Sequence, residues 1–153
     1  MDDLGILLLF SYFIIIAILA VTLTVLRVIG YWKLFNKAEE KGWKSLIPFY
    51  NQFVFYRLVW NVEFFFLYLG GSVIVGILNG FERVIKNPFL GFICMVISIA
   101  FTIISIWINW HLSINTAKAY GKGKGYGVGL FFLPNLLRMI LGFSDCQYLG
   151  AQE

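Results

Sequence analysis

Arg138 is the single charge inside an otherwise apolar stretch, Tyr126–Phe143 (YGVGLFFLPNLLRMILGF), and it follows Pro134 and Asn135 closely. A guanidinium in such a place can hold an anionic ligand or a partner. It can also reach the membrane interface along its stem, or pair with Asp145 or Glu82. An arginine at mid-helix in lipid costs about 2.5–3.5 kcal/mol on insertion scales, so it needs one of these outlets. Snorkelling or pairing is the simpler expectation. A second set, Ser98, Thr102, Ser105, Asn109, Ser113 and Thr116, recurs at steps of four and three, on one face of a helix. Ser72, Gly76, Asn79 and Arg83 repeat that spacing one run earlier, and Gly76 with Gly80 forms a small-residue pair suited to close helix approach. These stripes either glue helices, at about 0.6 kcal/mol per interhelical bond, or line a hydrated groove for a small solute. Glue is the commoner role. Arg138, Asn109, Ser105, Thr102, Ser98 and Asn79 are the candidate contacts to a ligand or partner.

Other chemistry finds no footing. His111 is the only histidine, which excludes a two-histidine zinc site; Cys94 and Cys146 lack metal-type spacing. No Gly-x-Ser-x-Gly, no His-Glu-x-x-His and no carboxylate pair within an apolar run occurs. Gly121-Lys122-Gly123-Lys124-Gly125 continues through Gly127 and Gly129, but it lacks the strand and the Gly-Lys-Ser/Thr ending of a phosphate loop. No catalytic, metal or cofactor residue is assigned, and nucleic acid is not an expected partner. Lys118, Lys122 and Lys124, with Lys33 and Lys37, are candidate contacts to anionic lipid headgroups.

The elements that must position these residues are apolar runs. Residues 4–26, 64–81, 89–110 and 126–143 are apolar almost throughout. A helix needs about 20 such residues to cross a hydrocarbon layer. Of the 153 residues, 60% are hydrophobic, more than a soluble domain of this size can bury. The expectation is an all-α, polytopic helix bundle forming one domain over 1–153, with four transmembrane helices. A cytoplasmic-side segment, 31–60, joins the first two. In it Tyr31–Lys41 is amphipathic, with Trp32, Phe35 and Ala38 toward lipid and Lys33, Lys37 and Lys41 opposite. Gly42 suits that helix's end. Ser45–Trp60 reads as interfacial or partly re-entrant. Lys and Arg collect on the cytoplasmic side. Four spans with both termini outside place Arg27, Lys33, Lys37, Lys41, Lys44, Arg57, Lys118, Lys122 and Lys124 inside, and only Arg83 and Lys86 outside. Asp2, Asp3, Asp145 and Glu153 then fall outside.

Two stretches carry a resemblance. One is Lys37-Ala38, Gly42-Trp43 and Ile47-Pro48-Phe49-Tyr50-Asn51. The other is Tyr120-Gly121-Lys122-Gly123 through Gly129, then Pro134, Ile140-Leu141-Gly142-Phe143, Asp145, Tyr148 and Gly150. From Lys37 to Gly150 the chain resembles a family of small bacterial multi-pass membrane proteins of unknown function, some fused to signal peptidase I. It departs at Glu39, where that family tends to Gly, and at Tyr120, where it tends to Phe. The resemblance implies a bacterial cytoplasmic membrane and transfers no catalytic residue. Gly42, Trp43, Pro48, Asn51, Gly121, Gly123 and Gly142 are expected to hold shape. The functional expectation is a non-enzymatic accessory or immunity-type protein contacting a membrane partner or an exported peptide, with a homo-oligomer compatible. The alternative is a small-solute or lipid transporter whose polar stripe lines the path.

Overall fold

The computed structural model describes residues 3–151, and every regular element among them is helical. The elements are α1 (Asp3–Lys37), a 3-10 turn (Gly42–Leu46), α2 (Tyr50–Val59), α3 (Val62–Ile85), α4 (Pro88–Ala119), α5 (Lys124–Phe132) and α6 (Pro134–Phe143). Asp2 and Glu153, both used in the topology reading, lie outside the described residues. Three helices, α1, α3 and α4, are long and apolar enough to cross a membrane. The chain is a membrane protein by that measure, with three candidate spans where the run pattern suggested four.

Helix α1 has 35 residues, about 52 Å at 1.5 Å per residue. From Ile6 to Arg27 every residue is exposed, on all sides of the helix. Lipid tails are as apolar as these side chains, and the helix satisfies its own backbone, so the segment needs no protein neighbour. Helices α3 and α4 form an antiparallel pair. Asn61 opens α3 by accepting a hydrogen bond from the Glu63 amide at 2.9 Å. Asn87 opens α4 by accepting from the Phe89 and Leu90 amides, with Pro88 in the first turn, where it loses no needed donor. Phe101 fills the notch at Gly71, where an added Cβ would overlap its ring. Gly76 and Gly80 face open space instead. The expected small-residue contact therefore does not form there; the close approach sits one turn nearer the start of α3.

The other half of the molecule is a packed head. The end of α1 (Tyr31, Leu34, Phe35, Ala38), α2 (Val54, Phe55, Tyr56, Leu58, Val59) and the end of α4 (Ile108, Leu112, Ala119) bury one another, joined by Tyr120 and Leu141. This corrects the reading of 31–60. Phe35, within α1, and Ala38, just past its end, face this core rather than lipid, and α2 packs Val54, Phe55, Tyr56, Leu58 and Val59 into it. The helix ends before Gly42, at Lys37, and Glu39 takes a left-handed φ of 58°. Gly42 instead lies under the Trp32 indole, which leaves no room for a Cβ.

The run 126–143 does not cross as one helix. It breaks between α5 and α6 at Leu133, with φ −128° and ψ 59°. Pro134 forces the break: it lacks an N–H, its ring would clash with the preceding turn, and it disfavours helical dihedrals at Leu133. Helix α5 returns along α4, with Gly127 against Ser113 and Ile114 and Phe131 against Trp110. Helix α6 then climbs parallel to α1, with Met139 beside Gly30 and Lys37 donating to the Leu141 and Ser144 carbonyls. Gly142 meets the Gly30 backbone so closely that a Cβ would overlap its carbonyl. The tail after α6 closes on the head. The Leu149 amide donates to the Ala119 carbonyl at 2.7 Å, and the Tyr148 hydroxyl to the Leu58 carbonyl at 2.6 Å. The tail thus lies at the Lys37 end of α1, whereas four spans would have placed it at the other end.

Candidate functional site

The α5–α6 hairpin inserts its tip between the spans. Asn135 and Leu136 lie beside Leu23 and Thr24 of α1, and Pro134 lies beside Ser105 and Asn109 of α4. Behind the tip is a half-open cavity of about 410 Å³. Phe49, Tyr56, Phe65, Leu69 and Leu112 give it apolar and aromatic walls. Gln52, Ser72, Asn109, Asn135 and Arg138 give it polar groups.

Arg138 is only 7% exposed. Its Nη1 donates to the Tyr31 hydroxyl at 3.2 Å, and its guanidinium carbon sits 4.5 Å from the centre of the Phe55 ring. Its Nε is buried without a partner. Neither Glu82 nor Asp145 pairs with it. Both ion pairs among the described residues use Glu40, joined to Lys44 and Arg57. Glu82 sits beside Gly91, near the α3–α4 turn. Nor does the arginine's stem carry it to the surface: the side chain is held within the packed head, at 7% exposure. Burying an unpaired ion costs on the order of several kcal/mol. A desolvated cation over a ring regains about 2 kcal/mol, and a hydrogen bond to a charged group about 1.5–3 kcal/mol. These gains offset much of that cost, and the guanidinium stays on the cavity wall with its Nε unpartnered. Tyr56 shares the cavity wall; burial pushes its phenol up to about 12, with Arg138 drawing it the other way.

A model of a family of unknown function (DUF5684) matches residues 43–151. The chain belongs to that family. No curated protein and no solved structure matches it. The part shared with the family takes in every residue lining the cavity, from Phe49 to Arg138, and leaves α1 outside.

The polar stripe of α4 divides into two parts. Asn79 donates to the Ser98 hydroxyl at 3.2 Å, joining α3 to α4. Thr102 and Asn109 donate to carbonyls of their own helix, those of Ser98 and Ser105. With Ser105 and Ser113 they line a second groove of about 340 Å³ against Phe131 and Pro134. The Ser105 hydroxyl is buried there without a partner. Thr116 is fully buried and donates to the Leu112 carbonyl. His111 bonds the Trp107 carbonyl at 3.1 Å and stacks near Trp60 and Trp107, a local role.

The candidate headgroup lysines separate too. Lys37 is spent on the α6 carbonyls, where a cation complements the helix's C-terminal end. Lys33 lies over the Phe143 ring at 4.5 Å. Lys118 and Lys124 are exposed, and Lys122 is half-buried. Gly121, with φ 66°, ends α4: its amide donates to the Lys118 carbonyl and that of Lys122 to Ala117, the paired bonds of a glycine C-cap. Gly123 precedes α5 in open space. Trp43 is exposed, Pro48 turns the chain into α2, and the Asn51 side chain donates to the Ser45 carbonyl at 3.2 Å.

Sequence reasoning singled out Arg138 and Asn109 but missed Gln52, Tyr56 and Tyr31 as their neighbours. The available signal was the polar and aromatic mixture in Ser45–Trp60, too polar for lipid and too apolar for a loop.

Proposed function

We propose that this is a non-enzymatic protein of the bacterial cytoplasmic membrane that acts by lateral contact with another membrane protein, through α1. The observation that carries this is the bareness of α1 from Ile6 to Arg27. One helix stands apart from the α3–α4 pair and offers its whole circumference to a partner's helix, while its other end is locked into the head. The orientation we propose has the start of α1 outside and the head inside. Three spans then keep the nine head-side basic residues inside and Arg83 and Lys86 outside, as the charge rule favours. The C-terminal tail moves inside with the head. The resemblance to chains fused to signal peptidase I supports an exported peptide, or the machinery handling it, as the partner's setting.

The test is an exchange of residues 6–21 for a leucine–alanine helix of equal length, with a photo-crosslinker at position 14. A discrete protein adduct in the native chain, lost in the exchanged but still inserted chain, is the expected result. Adducts to lipid alone would reduce α1 to an anchor and end the proposal. Solute transport is the second reading, favoured by the groove along Thr102, Ser105 and Asn109. It requires a liposome flux that Asn109→Leu abolishes.

A further inference from the structure

The Arg138 cavity goes beyond a contact role. We propose that it is a binding site for the phosphate of an anionic phospholipid, held between the Arg138 guanidinium and the first turn of α6.

Three independent features meet there. First, Arg138 is more than nine-tenths buried, lines the cavity, faces no carboxylate and keeps an unpartnered Nε. Second, α6 begins at the hairpin tip with no side chain capping it. First-turn amides have no acceptor within their own helix, and a helix start carries partial positive charge; together they favour a bound anion. Pro134 has no amide to offer, so Asn135, which lines the same cavity, is the first residue of the turn with one to present. Third, the walls select an amphiphile. Phe49, Tyr56, Phe65, Leu69 and Leu112 suit an acyl chain or glycerol backbone, not a hydrated ion.

The position selects the source. The tip lies beside Leu23 and Thr24 of α1 and near Ser105 of α4, inside the lengths that cross the membrane. Phe49, 69% exposed, and Tyr68, 39% exposed, bring the cavity's lining out to the apolar surface. A lipid reaches that mouth by sliding within its leaflet. A free phosphate would have to shed its water and cross the head. The arrangement also accounts for an arginine in a segment that would pack more stably without one, since an unpaired buried cation is retained at a cost unless an anion joins it.

The experiment uses the full chain in a neutral detergent, with native mass spectrometry and thermal unfolding. The probes are phosphatidylglycerol, phosphatidylcholine and inorganic phosphate, each added separately. Phosphatidylglycerol is expected to bind the native chain and raise its unfolding temperature. Arg138→Met is expected to bind it about tenfold more weakly, the scale of one lost charge-assisted contact, and Arg138→Lys to retain part of the affinity. Without lipid, Arg138→Met should unfold no lower than the native chain. Ser72→Trp, which obstructs the cavity at a lipid-exposed position and leaves the Tyr31 and Phe55 contacts of Arg138 in place, should also lose the lipid-induced rise. Equal phosphatidylglycerol affinity in the native chain and in either Arg138→Met or Ser72→Trp would overturn the site. An equal response to inorganic phosphate would overturn the lipid source, and an equal response to phosphatidylcholine would overturn the requirement for net charge. The contact role of α1 is read separately, by its adducts, so either idea can fail alone.

Discussion

Phe13 and Phe35 lie on the same helix, yet the first is 67% exposed and the second not at all. Along α1 the composition barely changes between them, apart from the basic residues that begin at Arg27. What changes is the medium that takes up the apolar surface. Around Phe13 it is the bilayer, which accepts an apolar side chain as readily as a protein core does. Around Phe35 it is α2, the end of α4 and Tyr120, packed at protein density. The spans therefore draw their position from lipid and little stability from one another, whereas the head holds the shape of the cavity. Truncation measures this contrast most directly. Phe35→Ala should cost about 3–5 kcal/mol, and Phe13→Ala should stay within about 0.5 kcal/mol, by denaturation in detergent micelles. A comparable loss at Phe13 would mean that the outer half of α1 is packed against protein after all, and the contrast would fall.

Glycines sharpen the same difference on a smaller scale. Gly142 abuts the Gly30 backbone, which cannot rotate away as a side chain can, so Gly142→Val should force α6 off α1. Overpacking of this kind costs about 1–3 kcal/mol. Gly76→Val meets nothing within 4 Å and should be neutral or slightly stabilising through helix propensity. Tryptophan fluorescence through a thermal ramp would order the two. Should Gly76→Val prove the more harmful, α3 is packing in the membrane against a neighbour outside this chain. That result would favour an oligomer or a partner on α3 rather than on α1.

The spans were legible because hydropathy over about 20 residues reports one property, the medium. The all-helical class and the crossing segments of α1, α3 and α4 follow from it. The head was not legible for the same reason. An apolar residue destined for protein reads like one destined for lipid, so the amphipathic pattern turns Phe35 and Ala38 outward when they in fact face the core. The last run failed through a local effect. Hydropathy reads 126–143 as one crossing run, but the flanking helices of 9 and 10 residues each find a separate partner, α4 and α1, which makes a full break and return at Pro134 possible. Arg138 was visible as a problem but not as an address. Its surroundings, Tyr31, Phe55 and Gln52, come from segments far apart in the chain. No periodicity within one run could have gathered them.

The smallest expected effect lies where the head meets water. Glu40 joins Lys44 on the 3-10 turn to Arg57 on α2. The hydrogen bond from Lys44 holds its carboxyl below the usual value of 4.5, desolvation opposes that shift, and the Arg57 charge assists it. A carboxylate whose folded value is depressed contributes stability that is complete above the unfolded value and lost as pH falls through the folded one. Near-surface pairs of this kind are worth at most about 0.5–1 kcal/mol after screening by solvent and salt. Glu40→Gln should therefore unfold slightly earlier than the native chain at pH 7, with the two converging in acid as pH falls through the lowered folded value and the native carboxylate is neutralised. Added salt should narrow the gap at pH 7. Convergence would assign the contribution to charge. A gap that survived acid would instead assign it to packing of the Glu40 stem, and would extend to the head's outer edge the same rule that governs its core.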